Sequence, residues 1–158
     1  ASVEGGFVSI LAQQTGVPIS NFGESGDTTA QAKARVVEVL ADKPDITLVL
    51  LGGNDTLQRV PDEETEINLR DIITGIQNSG SRVILLGVVG GFPRDPYASI
   101  FERLADEYEV TYVPNVLSGV IGHSSLMSDG IHPNQAGYQI IADKILPVLE
   151  EECGDMKE

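Results

Sequence analysis

The length and charge of the sequence limit what the protein can be. Its 158 residues suit one domain with a sizeable core, and 41% hydrophobic and 22% charged residues are typical of a soluble globular protein. The formal net charge of −14 repels nucleic acid and anionic lipid, so we predict partners of neither kind. No apolar run is as long as a membrane span and no signal-peptide pattern occurs, which leaves the compartment open.

Helix and strand patterns alternate through the first half of the chain. A helix is predicted over residues 5–15, and a short strand is predicted over residues 17–22. Asp27 and Thr28 are suited to cap the next helix. Its apolar stripe consists of Ala32, Val36, Val39 and Leu40. Residues 46–51 form a continuous apolar run, which is typical of a strand buried on both faces.

The alternation continues in the second half of the chain. Asp62 begins a predicted helix, and residues 83–89 and 110–113 form two further predicted strands. Pro96 suits the first turn of a helix between these strands, and Asn134 is suited to cap the closing helix. The residues predicted to face the core from the three helices are Ile67, Ile72, Ile73, Ile76, Ile100, Phe101, Leu104, Ile140, Ile141, Ile145 and Leu149.

Strands that alternate with helices predict an α/β fold of the doubly wound, flavodoxin-like kind, with a parallel sheet between two layers of helices. We predict a single domain over residues 1–158, whose last residues, 151–158, form an acidic tail. A doubly wound unit normally begins with a strand, whereas this sequence begins with a helix. We therefore expect the first strand to be missing from these 158 residues, so that the domain is incomplete at its N-terminus.

Two polar loops that contain glycine follow predicted strands. They are Gly-Glu-Ser-Gly-Asp-Thr-Thr at residues 23–29 and Gly-Gly-Asn-Asp at residues 52–55. In open α/β sheets, ligands bind beyond the carboxyl ends of the strands. Glycine lets a backbone N–H approach a ligand closely, and an asparagine amide can donate hydrogen bonds to an oxyanion there. Either loop alone is better explained as a tight turn.

An acid and an imidazole lie three residues apart near the end of the chain, in the hexapeptide Asp-Gly-Ile-His-Pro-Asn at residues 129–134. A carboxylate this close can hold the ring of His132 in one tautomer and stabilise the imidazolium that forms when the ring takes a proton. The alternative is that Asp129 is a turn residue and His132 a surface histidine.

The three segments occur in an order that resembles the SGNH, or GDSL-like, family of serine hydrolases over nearly the whole chain. Residues 25–29 look like the second block of that family, residues 52–55 like the third, and residues 129–134 like the fifth. The surrounding sequence is most similar to the bacterial arylesterase, lysophospholipase and thioesterase branch. The resemblance implies an oxyanion hole formed by the Gly26 N–H and the Asn54 side chain.

The resemblance also implies catalytic roles for Asp129 and His132, and it implies a small ester or thioester substrate that reacts through an acyl-enzyme. The family's first block, Gly-Asp-Ser-Leu, carries the nucleophilic serine and does not occur in the sequence. By the resemblance, that serine and its strand lie before Ala1. Ser25 is the best substitute within the chain, although Asp27 stands where a nucleophile elbow needs its second glycine.

Two other functional classes remain open at this stage. The first is a hydrolase-like binding module without a nucleophile, which fits the absence of the first block. The second is a flavodoxin-like nucleotide binder, although neither loop has a phosphate-binding fingerprint. Gly-Gly-Phe-Pro at residues 90–93 is a candidate lining of an acyl pocket. No cluster of Cys, His and acidic residues has metal-ligand spacing, so we predict no catalytic metal and no cofactor.

Overall fold

The computed structural model describes residues 5–88 and 97–155 of the chain. It divides the chain into two compact units. The first contains Ala1–Gly23 and Val116–Glu158, and the second contains Glu24–Asn115. The prediction of a single domain stays a prediction.

The second unit contains a parallel sheet of three strands. In chain order its elements are α2 (Thr29–Ala41), β1 (Ile46–Val49), α3 (Gly53–Gln58), α4 (Asp62–Asn78), β2 (Arg82–Leu86), α5 (Tyr97–Tyr108) and β3 (Thr111–Val113). The strand order is β1-β2-β3, with Ile46 opposite Arg82 and Ile84 opposite Thr111. Helices connect successive parallel strands, as parallel pairing requires. The predicted α/β class with a parallel sheet is confirmed.

The core of the second unit lies where α4 and α5 pack with the sheet. Arg82 at the start of β2 is exposed, whereas the other four residues of this strand are buried. β1 is only half-buried except at Val49, although the apolar run predicted burial on both faces. β1 has one hydrogen-bonded neighbour, β2, among the described residues, so it lies at an edge of the sheet. The buried core residues are Val49, Leu69, Ile72, Ile73, Ile76, Val83, Leu85, Tyr97, Ile100, Phe101 and Leu104.

The described residues of the first unit form two α-helices, a short 3-10 helix (Ser124–Leu126) and irregular segments. Helix α1 (Gly6–Thr15) ends at Gly16, whose φ of 67° is in the left-handed region that glycine adopts without strain. Helix α6 (Gln135–Asp155) packs against α1 and buries Ile141, Ile145 and Leu149. The helix includes residues 151–155, so the first part of the predicted acidic tail is helical.

Two predictions about secondary structure and packing are wrong. Residues 17–22 form no strand, because Pro18 lacks the backbone N–H that a strand ladder needs and Val17 is 43% exposed. Ile67 was predicted to face the core but is 50% exposed, since the buried face of α4 is formed by Leu69, Ile72, Ile73 and Ile76. Across residues 5–88 and 97–155, no helix is long and apolar enough to cross a membrane.

Candidate active site

The turn formed by residues 128–134, here called the acid–base turn, holds the predicted acid against the predicted base. The Nδ1 atom of His132 lies 2.7 Å from the Oδ2 atom of Asp129. The second carboxylate oxygen, Oδ1, accepts hydrogen bonds of 2.8 Å from the backbone N–H groups of Ile131 and His132. Because Oδ1 is bound by the turn itself, Oδ2 is directed at the imidazole. The Asp129 side chain is 54% exposed and that of His132 is 56% exposed, so solvent or a substrate can reach both.

The same hydrogen bonds set the charge of the acid. The N–H of Ile131, the imidazole of His132 and the N–H of His132 together lower the pKa of Asp129 from its usual 3.8 to about 2. Each of these groups binds the ionised carboxylate more strongly than the neutral acid. Asp129 is therefore an anion throughout the physiological range. A permanent negative charge beside Nδ1 favours the tautomer with the proton on that nitrogen, which leaves the lone pair on Nε2.

Backbone contacts fix the acid–base turn at the start of α6. Met127 and Pro133 form an isolated antiparallel bridge, and the Ser128 N–H donates to the carbonyl of His132 at 2.8 Å. Asn134 caps α6 as predicted, because its Oδ1 accepts from the N–H groups of Ala136 and Gly137 at 3.0 and 3.1 Å.

Gly137 permits the close approach of the turn to α6. A Cβ atom at this position would lie 2.3 Å from the carbonyl oxygen of Leu126 and 2.9 Å from the Cβ of Pro133. Both distances are shorter than any real Cβ contact, so a larger residue would displace the backbone. The position of His132 thus depends on glycine five residues further along the chain.

In the second unit, residues 24–29 form the segment here called the oxyanion loop. Gly26 is exposed and has a φ of 91°, a conformation that favours glycine. The loop ends at the N-cap of α2, where Thr28 and Gln31 form a capping box: the Thr28 N–H donates to Gln31 at 2.9 Å. The predicted cap at Thr28 is confirmed, whereas Asp27 instead forms an ion pair with Arg35.

Helix α3 carries Asn54 beside the oxyanion loop. This six-residue helix begins after Gly52, whose φ is 98°, and was not predicted from the sequence. The Asn54 side-chain amide donates a 2.9 Å hydrogen bond to the carbonyl oxygen of Asp27. That bond uses one of the two amide hydrogens, and the second hydrogen is available for a ligand. Through this contact the Asn54 side chain reaches Asp27, which is the residue next to Gly26.

A functional candidate that the sequence reasoning underrated is Asp55. Its side chain is completely buried, and its carboxylate accepts hydrogen bonds from Thr29 and from Thr65. Its Oδ2 accepts from the Thr29 N–H at 2.9 Å and so binds the backbone at the start of α2. The available signal was an aspartate in a glycine-containing loop after a predicted strand, but the sequence does not show which residues surround it.

The structure gives no support for a catalytic role of the remaining candidates that it describes. Ser25 is exposed in a turn, and no strand precedes it among the described residues, so the strand–turn–helix geometry of a nucleophile elbow is not found there. His123 is exposed, as a surface histidine is expected to be. Within the described ranges, no group of three or more Cys, His, Asp or Glu residues is placed to hold a metal ion. The candidate acyl-pocket segment at 90–93 lies outside the described residues.

The structure thus joins the site residues in two pairs. Asp129 and His132 are in direct contact in the first unit, and Asn54 contacts the oxyanion loop that contains Gly26 in the second. Convergence of all four residues on one substrate stays a prediction.

Comparison with known proteins places these motifs in a family. Residues 2–140 match the GDSL-like Lipase/Acylhydrolase family. An arylesterase of Vibrio mimicus is 31% identical over 148 residues, which cover 89% of this chain and 74% of that protein. The protein of Escherichia coli K12 named thioesterase 1/protease 1/lysophospholipase L1 is 31% identical over 144 residues, which cover 87% of this chain and 69% of that one.

Solved structures agree with the sequence relatives. The crystal structure of TesA superimposes with a TM-score of 0.87 at 29% identity, covering 93% of this chain and 88% of that one. Two catalytic mutants of Axe2, an acetylxylan esterase from Geobacillus stearothermophilus, superimpose with TM-scores of 0.77 and 0.76 at 26% identity, covering 90% of this chain and 80% of theirs. One has an aspartate changed to alanine, and the other has a histidine changed three positions later. The chain described here belongs to the GDSL-like lipase/acylhydrolase family, whose members are ester hydrolases.

Proposed function

We propose that the protein is a serine esterase that hydrolyses small carboxylic esters or thioesters through an acyl-enzyme. The observation that carries the proposal is the 2.7 Å contact between Asp129 and His132, since it leaves Nε2 as the basic nitrogen of an exposed imidazole. The altered aspartate and histidine of the acetylxylan esterase mutants have the same three-residue spacing, which supports these two roles. The nucleophilic serine, by the family resemblance, lies ahead of Ala1.

In the first half of the proposed reaction the serine oxygen attacks the carbonyl carbon, and Nε2 of His132 takes the hydroxyl proton. The negative charge on the carbonyl oxygen is stabilised by the Gly26 N–H and the free amide hydrogen of Asn54. The bond to the leaving oxygen or sulfur then breaks, and His132 returns the proton to that atom. The serine is left as an acyl ester.

In the second half, water attacks the acyl ester with His132 again acting as the base. The acid is released and the serine hydroxyl is restored. Asp129 remains ionised throughout and keeps the imidazole in its productive tautomer, which agrees with a pKa of about 2. The anionic charge of Asp129 also stabilises the imidazolium that forms in each half-reaction.

A fluorophosphonate probe tests the proposal, because such probes form a covalent bond only with an activated serine. We expect the gene product, expressed with the sequence encoded ahead of Ala1, to be labelled on one serine, and we expect His132→Ala to abolish labelling. Intact mass and peptide mapping would measure this, with heat-denatured protein as the control. Folded protein that hydrolyses no ester and takes up no label would contradict the esterase and favour a binding module.

A further inference from the structure

Helix α3 contacts the oxyanion loop at three positions, and each contact uses a different α3 side chain. The Asn54 amide donates to the Asp27 carbonyl at 2.9 Å, and the Gln58 amide donates to the Gly26 carbonyl at 3.4 Å. The third contact, from Asp55 to Thr29, is the only one of these three that is buried. The two proposed oxyanion donors are therefore carried by segments that these contacts hold together.

The carboxylate of Asp55 is the most heavily bonded group in this region. Oδ2 accepts from the Thr29 N–H at 2.9 Å, and Oδ1 accepts from the Thr29 hydroxyl at 2.6 Å and from the Thr65 hydroxyl at 3.2 Å. The Thr29 hydroxyl also accepts a 3.3 Å hydrogen bond from the amide of Asn68. Through these bonds Asp55 joins the first residue of α2 to α3 and to α4.

The bonds between Asp55 and Thr29 constrain direction as well as distance. A carboxylate that binds both the N–H and the hydroxyl of one residue fixes the orientation of that residue, and Thr29 is both the last residue of the oxyanion loop and the first of α2. The partial positive charge of the helix N-terminus favours the anion here. Because Asn54 precedes Asp55, a shift of Asp55 relative to Thr29 changes the position of Asn54 relative to Gly26.

We infer that Asp55 is a positioning residue of the oxyanion hole, which sets the spacing between the Gly26 N–H and the Asn54 amide through its bonds to Thr29. This inference rests on the proposed esterase function. Displacement of a reacting group by about 1 Å costs on the order of 10²-fold in rate, so loss of this constraint affects kcat more than KM.

Thr29 and Thr65 provide a matched pair of variants. Both side chains are completely buried, and both hydroxyls donate to the same oxygen of Asp55, but only Thr29 belongs to the oxyanion loop. We expect Thr29→Val to lower kcat about tenfold with KM within about threefold. Thr65→Val loses the same chemical group and should lower Tm while kcat stays within about threefold of wild type. Equal losses of kcat in two variants of equal Tm would overturn the inference.

A double-mutant cycle tests whether Asp55 acts through Asn54. We expect Asp55→Asn to lower kcat by about 30-fold to 100-fold in the wild type, yet to lower it less than about threefold further in Asn54→Ala. If the losses of kcat in Asp55→Asn and Asn54→Ala multiply in the double variant, the inference is overturned. If Asp55→Asn does not fold, the comparison of kcat between Thr29→Val and Thr65→Val tests the inference instead.

The same experiment separates this inference from the proposed function. Unchanged kcat in Asn54→Ala alone would contradict the oxyanion hole itself. A large loss in Asn54→Ala together with equal losses in the two threonine variants would contradict only the role of Asp55.

Discussion

Asp129 and Asp55 are both carboxylates that hold a neighbouring group in place, but they do so in different surroundings. Asp129 is exposed and bonds to residues two and three positions along the chain. Asp55 is buried and bonds to Thr29, 26 residues earlier, and to Thr65, 10 residues later. The acid–base turn is therefore a local structure, whereas the oxyanion loop depends on the packing of a whole unit.

This difference has consequences for stability and for mutation. The charge of Asp129 is held by the backbone of its own turn, so substitutions elsewhere in the chain have little influence on it. The geometry around Asn54 relies on contacts between α3 and the oxyanion loop, whose partners lie 26 and 27 residues apart in the sequence. Substitutions that affect one region and not the other therefore test this difference.

The largest effect is expected from removal of the base in the acid–base turn. His132→Ala should lower kcat for a small ester such as p-nitrophenyl acetate by about 10³-fold or more, because the proposed mechanism uses His132 as the base in both half-reactions. Because the His132 side chain is exposed, we expect the variant to keep the wild-type Tm in thermal unfolding. The matched control is His123→Ala, which removes the other histidine of the chain and should leave kcat unchanged. Comparable losses in both variants would argue against His132.

The next largest effect is expected at Asn54 of α3, beside the oxyanion loop. Asn54→Ala should lower kcat by about 10²–10³-fold, the usual cost of one oxyanion donor. Asn78→Ala, at the exposed end of α4, is a control of the same chemistry and should behave as wild type. Steady-state kinetics with a small ester would measure both. Activity of Asn54→Ala within threefold of wild type would contradict the assignment.

The pH dependence of kcat separates the two members of the acid–base turn. An imidazole base acts only in its neutral form, so kcat should fall at acid pH as the ring of His132 takes up a proton. The lowered pKa of Asp129 means that its charge, and the stability the charge gives to the turn, are present above its usual pKa and are lost only as pH falls through about 2.

Because only the imidazole gains a proton on the acid side, the plot of log kcat against pH should have a slope of no more than about one down to pH 4. A slope that increases towards two below about pH 4.5 would mean that Asp129 titrates at an ordinary value. A flat profile from pH 5 to 8 would exclude His132 as the base.

The smallest effect concerns the helix that follows the oxyanion loop. Thr28→Ala removes the side-chain acceptor of the α2 capping box and should lower the free energy of unfolding by about 1 kcal/mol. Thr28→Ser keeps the hydroxyl and should change it by much less. Urea denaturation monitored by circular dichroism would measure both. Equal losses in the two variants would show that the methyl group, not the cap, is responsible.

Much of the fold could be predicted because its signals are local. The caps at Thr28 and Asn134, the end of α1 at Gly16, and the strands β2 and β3 all follow from a few adjacent residues. The contact between Asp129 and His132 belongs to the same class, since both residues lie in one hexapeptide. Proline at 133 and the N–H donors of the turn leave that pair little conformational freedom.

The features that were not predicted depend on distant residues. Helix α3 is six residues long, too short for an apolar period, and it begins after Gly52. The burial of Asp55 requires Thr29 and Thr65 as partners, and spacing in the sequence does not indicate which threonines they are. The strand predicted at 17–22 failed for a related reason, because a strand needs a neighbour and Pro18 weakens the pairing.

Gly137 has a practical meaning for reading other sequences with the same hexapeptide. Addition of a single methyl group there brings a carbon within 2.3 Å of the Leu126 carbonyl, so the backbone before and after His132 has to move. A protein could then retain every chemically reactive side chain and still be inactive. Inspection of a homologue for its acid and its histidine should therefore extend to the helix that follows. An alanine at the position of Gly137 would predict an inactive enzyme.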